Sequence, residues 1–174
     1  MTVSVSSPRR LRPCVAACLT LALAGGAAEA ARPAKADRVV VVKGERRLYL
    51  LRDGLVLKSF RVALGRQPRG TKLYEGDGRT PEGRYLLDGR NADSRFYRAI
   101  HVSYPGRADR TRAQALGETA GGAIMVHGLP NERPGWGEEH WMYNWTNGCI
   151  AVTNREMDEI WDSVELGTPI EIRP

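Results

Sequence analysis

Arg38-Val39-Val40-Val41-Val42-Lys43-Gly44-Glu45-Arg46-Arg47-Leu48-Tyr49-Leu50-Leu51-Arg52-Asp53-Gly54-Leu55 is the stretch that decides the fold class. A β-branched run at residues 38–43 meets a turn at Gly44-Glu45, and an alternating stretch follows at 48–52. Asp53-Gly54 then closes a tight hairpin, because both positions of such a turn need backbone angles that Asp and Gly tolerate. Residues 55–64 resume as a strand, with Leu55, Leu57, Phe60, Val62 and Leu64 expected in the core. Working outward, residues 65–83 are rich in glycine and proline and lack an apolar period, so they read as a long loop. Strand patterns return at 84–87, 99–104, 123–126 and 169–173, with a glycine- and charge-rich region before the third of these. Short strands that do not alternate with long helices predict a mostly-β sandwich or distorted barrel. One helix is marked: Thr153 and Glu156 have capping-box spacing, Met157, Ile160, Trp161 and Val164 follow at helical intervals, and Gly167 with Pro169 ends the run.

The chain has 174 residues, 42% of them hydrophobic and 26% charged, which suits one globular domain and excludes a wholly disordered chain. Its net charge of +6 favours polyanionic surroundings without choosing among them. Arg9, Arg10 and Arg12 precede an apolar stretch at 15–23, and Ala28-Glu29-Ala30 has the small-x-small form of a secretory cleavage site. Residues 1–30 are therefore expected to be a signal peptide, residues 31–37 a short polar lead-in, and residues 38–174 the working domain. Cleavage after Ala30 removes three arginines and one glutamate and lowers the net charge from +6 to +4. It also removes Cys14 and Cys18, leaving Cys149 as the single thiol. Exported domains usually pair their thiols, so Cys149 is an inert core group, an intermolecular partner or a nucleophile.

The context of Cys149 favours the nucleophile. Gly148 before it permits a tight turn in which the Gly148 and Cys149 amides face a substrate carbonyl as oxyanion donors. A thiol needs a base nearby. Of the three histidines, His127 ends a strand pattern and precedes Gly128, the kind of strand rim on which catalytic side chains are held. His140 lies in a Trp- and Gly-rich loop and is expected to line the pocket, while His101 alternates with Ile100 and Val102 and reads as structural. A zinc site built from His127, His140 and Cys149 is disfavoured, since their spacings of thirteen and nine match no compact ligand pair. No metal or cofactor is expected. Nucleic acid is not an expected partner, because basic residues are scattered among acidic ones.

Ala123-Ile124-Met125-Val126-His127-Gly128, followed by Thr146-Asn147-Gly148-Cys149-Ile150-Ala151-Val152-Thr153-Asn154, resembles the active-site signature of L,D-transpeptidases of the YkuD type. Gly76-Asp77-Gly78-Arg79-Thr80-Pro81-Glu82-Gly83-Arg84-Tyr85 and His101-Val102-Ser103-Tyr104-Pro105 are similar to upstream parts of the same family. Two features depart from many members: Thr146-Asn147 stands where Ser-His is common, and Ala151 where arginine is common. The long insert with Trp136, Trp141 and Trp145 resembles a branch with a Trp-Thr-x-Gly-Cys core, related to murein enzymes that join or release wall-linked groups. The resemblance implies the β-sandwich or distorted-barrel catalytic domain of that family over residues 38–174. It implies an exported, periplasmic or envelope acyltransferase acting on peptidoglycan stem peptides. Cys149 would attack the carbonyl at the L-centre of diaminopimelate, His127 would act as general acid and base, and the Gly128 carbonyl would orient it. Gly148 would supply an oxyanion amide, and His140, Trp145, Thr146 and Asn147 would contact substrate. An amine acceptor, on a second stem or a wall-anchored protein, completes cross-linking or attachment. Water as acceptor gives the alternative, an L,D-carboxypeptidase or amidase, and a non-catalytic wall-binding module is the alternative of another class.

Overall fold

A computed structural model of the chain describes residues 1, 2, 4, 34–132 and 136–174. The chain divides into two units, Met1–Ala31 and Arg32–Pro174. The leader expected over residues 1–30 lies outside the described residues but for positions 1, 2 and 4, as do positions 31–33 of the lead-in.

Eight strands form one sheet: β1 (Arg38–Val42), β2 (Arg47–Arg52), β3 (Leu55–Arg61), β4 (Gly83–Ser94), β5 (Tyr97–Val102), β6 (Met125–His127), β7 (Ile150–Ala151) and β8 (Thr168–Arg173). Their order across the sheet is β3-β2-β1-β8-β4-β5-β6-β7, with β1–β8 and β6–β7 parallel and the other pairs antiparallel. The two ends of that order meet. Just beyond β3, Ala63 exchanges two backbone hydrogen bonds of 2.9 Å each with Ala151 of β7, so the sheet curls into the expected distorted barrel. Closure removes the unpaired edges that invite wrong pairing. Val39, Val41, Leu48, Leu50, Val62, Leu87, Ile100, Val126, Ile150 and Ile170 fill the interior.

The Asp53-Gly54 hairpin forms as the sequence requires, with φ of 52° and 79°, the left-handed pair of a type I′ turn. The strand after it departs from expectation. Leu55 and Leu57 are exposed, and burial begins only at Phe60, followed by Val62 and Leu64. Every residue of β3 before Phe60 is exposed, so the alternation of Leu55 and Leu57 meets no covering layer. Its register with β2 also shifts at Leu50/Leu51.

Two helices complete the unit. α1 (Arg107–Ala115) was not expected from the sequence: among its residues only Asp109 and Ala113 are buried, so it shows almost no apolar face. Asp109 holds its start by accepting from the Gly106 amide at 2.9 Å and from the Tyr85 hydroxyl at 3.1 Å. α2 (Asn154–Ser163) is the helix expected after Cys149. The Glu156 amide donates to Thr153 Oγ1 at 3.2 Å, and the Thr153 amide donates to Glu156 Oε2 at 2.8 Å. Met157 and Ile160 of α2 are buried in the core, and Tyr97 on β5 donates to Asp158 Oδ2 at 2.9 Å. The cap matters for what precedes it, because α2 begins five residues after Cys149. Thr153→Ala is expected to lower stability by about 1–2 kcal/mol, the usual worth of an N-cap, as a drop in the urea midpoint. An unchanged midpoint would mean that the cap contributes nothing here.

Candidate active site

β6 and the turn before β7 bring His127 and Cys149 to one cavity of about 840 Å3, which Phe96, Trp145, Thr146 and Asn147 also line. β6 is short but doubly paired, antiparallel to β5 and parallel to β7, so its last residue, His127, is rigidly carried. The His127 ring is buried, with its Nδ1 2.7 Å from the Gly128 carbonyl oxygen. A carbonyl only accepts, so Nδ1 carries the proton and the neutral ring presents Nε2 as an acceptor. Phe96 lies 4.6 Å from the imidazole centroid to centroid, and Trp145 stands edge-on at 5.7 Å.

The turn holding Cys149 is built by Thr146. Its buried hydroxyl donates to the Cys149 carbonyl at 2.8 Å and accepts from the Gly148 amide at 3.1 Å. The Gly148 amide is therefore engaged within the turn. In this arrangement the Gly148 amide, expected as an oxyanion donor, donates to the Thr146 hydroxyl. Gly148 has φ 129°, and a Cβ there would lie 2.6 Å from the Arg79 carbonyl oxygen, so only glycine fits. The segment before the loop clamps the turn from the other side: the Thr146 amide donates to the Leu64 carbonyl at 3.2 Å, and the Arg66 amide to the Thr146 carbonyl at 3.0 Å. Cys149 Sγ, half-buried, lies 3.5 Å from the Ala123 carbonyl oxygen.

Electrostatics keep this pair neutral at rest. Burial pushes the Cys149 thiol up, opposed by the Met125 backbone amide and by the Lys72 charge. Burial pushes His127 down to about 4, against the opposing pull of the Gly128 carbonyl. His140 is likewise pushed down to about 4, chiefly by burial and secondarily by His127. Both histidines thus fold neutral, whereas an unfolded histidine titrates near 6.5. The unfolded chain binds more protons below that value, so their contribution to stability is present above about 6.5 and lost as the pH falls through about 4. The urea midpoint is expected to fall steadily over that window, and less steeply in His140→Phe. A midpoint that ignores pH there would contradict neutral burial of the two rings.

The other expected site residues divide. Trp145, Thr146 and Asn147 line the Cys149 cavity, but His140 does not. It lies in a 3₁₀ turn (His140–Met142) and lines a neighbouring cavity whose walls include Trp136 and Trp145. His101 pairs with Asp88 at 2.5 Å on β5. Among the described residues no three His, Cys, Asp or Glu side chains group as a metal ion requires. Sequence reasoning missed Lys72, Arg66 and Phe96, which also line the Cys149 cavity. Lys72 is buried, bridging Asp77 at 2.9 Å and the Tyr74 carbonyl at 3.0 Å. Burial raises Asp77, but the Leu73 and Arg79 amides and Lys72 outweigh it and hold the carboxyl low. The Thr80-Pro81-Glu82 loop is fixed by buried Lys43, which donates to the Thr80 carbonyl at 3.1 Å and to Glu82 Oε1 at 2.7 Å.

The description "L,D-transpeptidase catalytic domain", YkuD, matches residues 36–172. A curated relative named "Putative L,D-transpeptidase YafK", from Escherichia coli (strain K12), is 30% identical over 112 residues, covering 63% of this chain. The chain spans 37% of that relative's length in the match. The solved structure of the helical cell shape determining protein Pgp2 from Campylobacter jejuni is similar with a TM-score of 0.58 and 26% identity, covering 78% of this chain and 46% of that one. Bd1075 from Bdellovibrio bacteriovorus shares the fold with a TM-score of 0.52 at 23% identity, covering 77% of this chain and 46% of that one. With the match running from the residue two before β1 almost to the end of β8, the chain belongs to the YkuD family of L,D-transpeptidase catalytic domains.

Proposed function

We propose that the chain is an exported cysteine acyltransferase acting on peptidoglycan stem peptides, with Cys149 as nucleophile and His127 as general base and acid. The observation that carries this reading is the contact of His127 Nδ1 with the Gly128 carbonyl, which leaves Nε2 as the acceptor of a ring that lines one cavity with the thiol. When a stem peptide enters, Nε2 takes the Cys149 proton as Sγ bonds to the carbonyl carbon at the L-centre of diaminopimelate. The carbonyl π electrons move to oxygen, and the Cys149 amide is the donor for that oxyanion, since the Gly148 amide serves Thr146. The oxyanion collapses to a thioester, and terminal D-alanine leaves with the proton from His127. An amine on a second stem or a wall-anchored protein then attacks, gives its proton to His127 and forms the new amide; the thiol recovers that proton. Arg66 brings positive charge to a cavity that Glu75 also lines, a charge that suits the carboxylates of such peptides, while Lys72 is paired with Asp77. The description of Pgp2 as determining cell shape supports a role in the wall.

Incubating the purified chain with tetrapeptide muropeptides and weighing the products tests the reading. A cross-linked dimer supports acyl transfer, a tripeptide assigns water as the acceptor, and unchanged substrate overturns the proposal. Export is tested by sequencing the terminus of the protein recovered from cell fractions, with a start near Ala31 outside the cytoplasmic membrane as the expected result.

A further inference from the structure

Behind Trp145 lies a second cavity, of about 290 Å3, lined by Trp136, Gly137, Glu139, His140, Tyr143 and Trp145. Its polar groups are incomplete. His140 is only 5% exposed, yet neither of its ring nitrogens has a hydrogen-bond partner among the described residues, and the same holds for Trp145 Nε1. Leaving a buried polar atom unpaired costs about 1–3 kcal/mol, so several in one place mark a site that is completed by something else.

The chemistry of the walls narrows what completes it. A neutral imidazole offers one donor and one acceptor, and the indole N–H adds a donor. That set matches hydroxyl and acetamido groups, each of which both donates and accepts. Among the described residues no lysine or arginine lines the cavity, and Glu139 does, which disfavours a carboxylate or phosphate ligand. The Trp136 and Trp145 rings lie 5.0 Å apart at 71°, forming a corner rather than a parallel slot. A flat base or aromatic side chain fills a slot; a puckered pyranose, with polarised C–H groups on its faces, fits a corner of electron-rich rings. We infer that this cavity is a carbohydrate subsite that binds an N-acetylated sugar. Identifying that sugar with the glycan strand of the wall rests on the function proposed above. Trp136 and Trp145 line both cavities, so a sugar seated here lies directly across the indoles from the thiol pocket.

Titrating the full chain with N,N′-diacetylchitobiose, with maltose as the control lacking acetamido groups, tests the inference by calorimetry and by imidazole NMR. Saturable binding of chitobiose only, with a shift of the His140 ring signals, is the expected result. His140→Phe keeps the ring volume and removes the orphaned nitrogens, so it is expected to be at least as stable as wild type yet to bind more than tenfold weaker. Tyr143→Ala, at a largely exposed position, is a second variant that leaves the core alone and is expected to bind several-fold weaker. Absence of chitobiose binding, equal binding of maltose, or unchanged affinity in both variants overturns the subsite. Acylation of the wild type by a carbapenem, read by mass without sugar, tests the cysteine reading separately. Sugar binding without acylation leaves the subsite standing and removes the thiol mechanism; acylation without sugar binding does the reverse.

Discussion

Cys149→Ala is expected to abolish turnover of muropeptides and to prevent any covalent adduct with a carbapenem, while the barrel persists. Loss should be complete within detection because no other described cysteine exists to form the thioester. Stability should change little: the thiol is half-buried at the cavity wall and makes only weak contacts, one of them to the Ala123 carbonyl at 3.5 Å. The turn itself is made by Thr146 and Gly148 and does not depend on sulfur. Intact-mass spectrometry of both proteins after carbapenem exposure, beside their thermal melts, checks the result. A variant that still turns over substrate removes covalent catalysis; one that unfolds would make Cys149 a core thiol.

The second large effect concerns His127. General acid–base catalysis contributes roughly 10²- to 10⁴-fold, so His127→Ala is expected to slow acylation by about that factor. With burial holding the imidazole at about 4 and the thiol raised, the resting pair is a neutral thiol and a neutral imidazole. The wild-type acylation rate should therefore stay nearly level from pH 6 to 8 and fall only as the pH approaches 4, where His127 gains a proton. His127→Ala should lose that acid limb and instead follow thiolate formation, its rate rising continuously with pH. His140→Ala is expected to cost less, since His140 lines the adjoining cavity rather than that of the thiol. Single-exposure acylation rates of the three proteins from pH 4 to 9 decide it. If His140→Ala is the slower enzyme, the roles assigned to the two rings are wrong.

What the sequence made legible is what local chemistry specifies. Asp53-Gly54, the Thr153–Glu156 cap and the Gly148-Cys149 turn each declare themselves within a few residues, and each forms. β7 is only Ile150–Ala151, too short for a pattern, and exists because β6 and Ala63 flank it. α1 is hidden for the opposite reason: its nine residues are polar or alanine, and its position is fixed by Asp109 reaching Tyr85 rather than by an apolar stripe. Lys72 escaped notice because a lysine in a glycine-rich loop reads as solvated, whereas here Asp77 neutralises it in the interior. Leu55 and Leu57 mislead because alternation tells which residues share a face, not whether anything covers that face. The partner of the Gly148 amide was not legible either, since the hydroxyl that accepts from it lies two residues upstream and only the folded turn brings them together.

The Ala63–Ala151 pairing that closes the barrel sits two residues from Cys149. It joins the two ends of the strand order through residues far apart in sequence, so it carries a loop-closure cost that local contacts do not. A partly folded chain carries the thiol without the clamp that Leu64 and Arg66 apply to its turn. On the function proposed above, a chain that frays at the seam is expected to be disarmed before it is denatured, because that clamp on the Cys149 turn goes first.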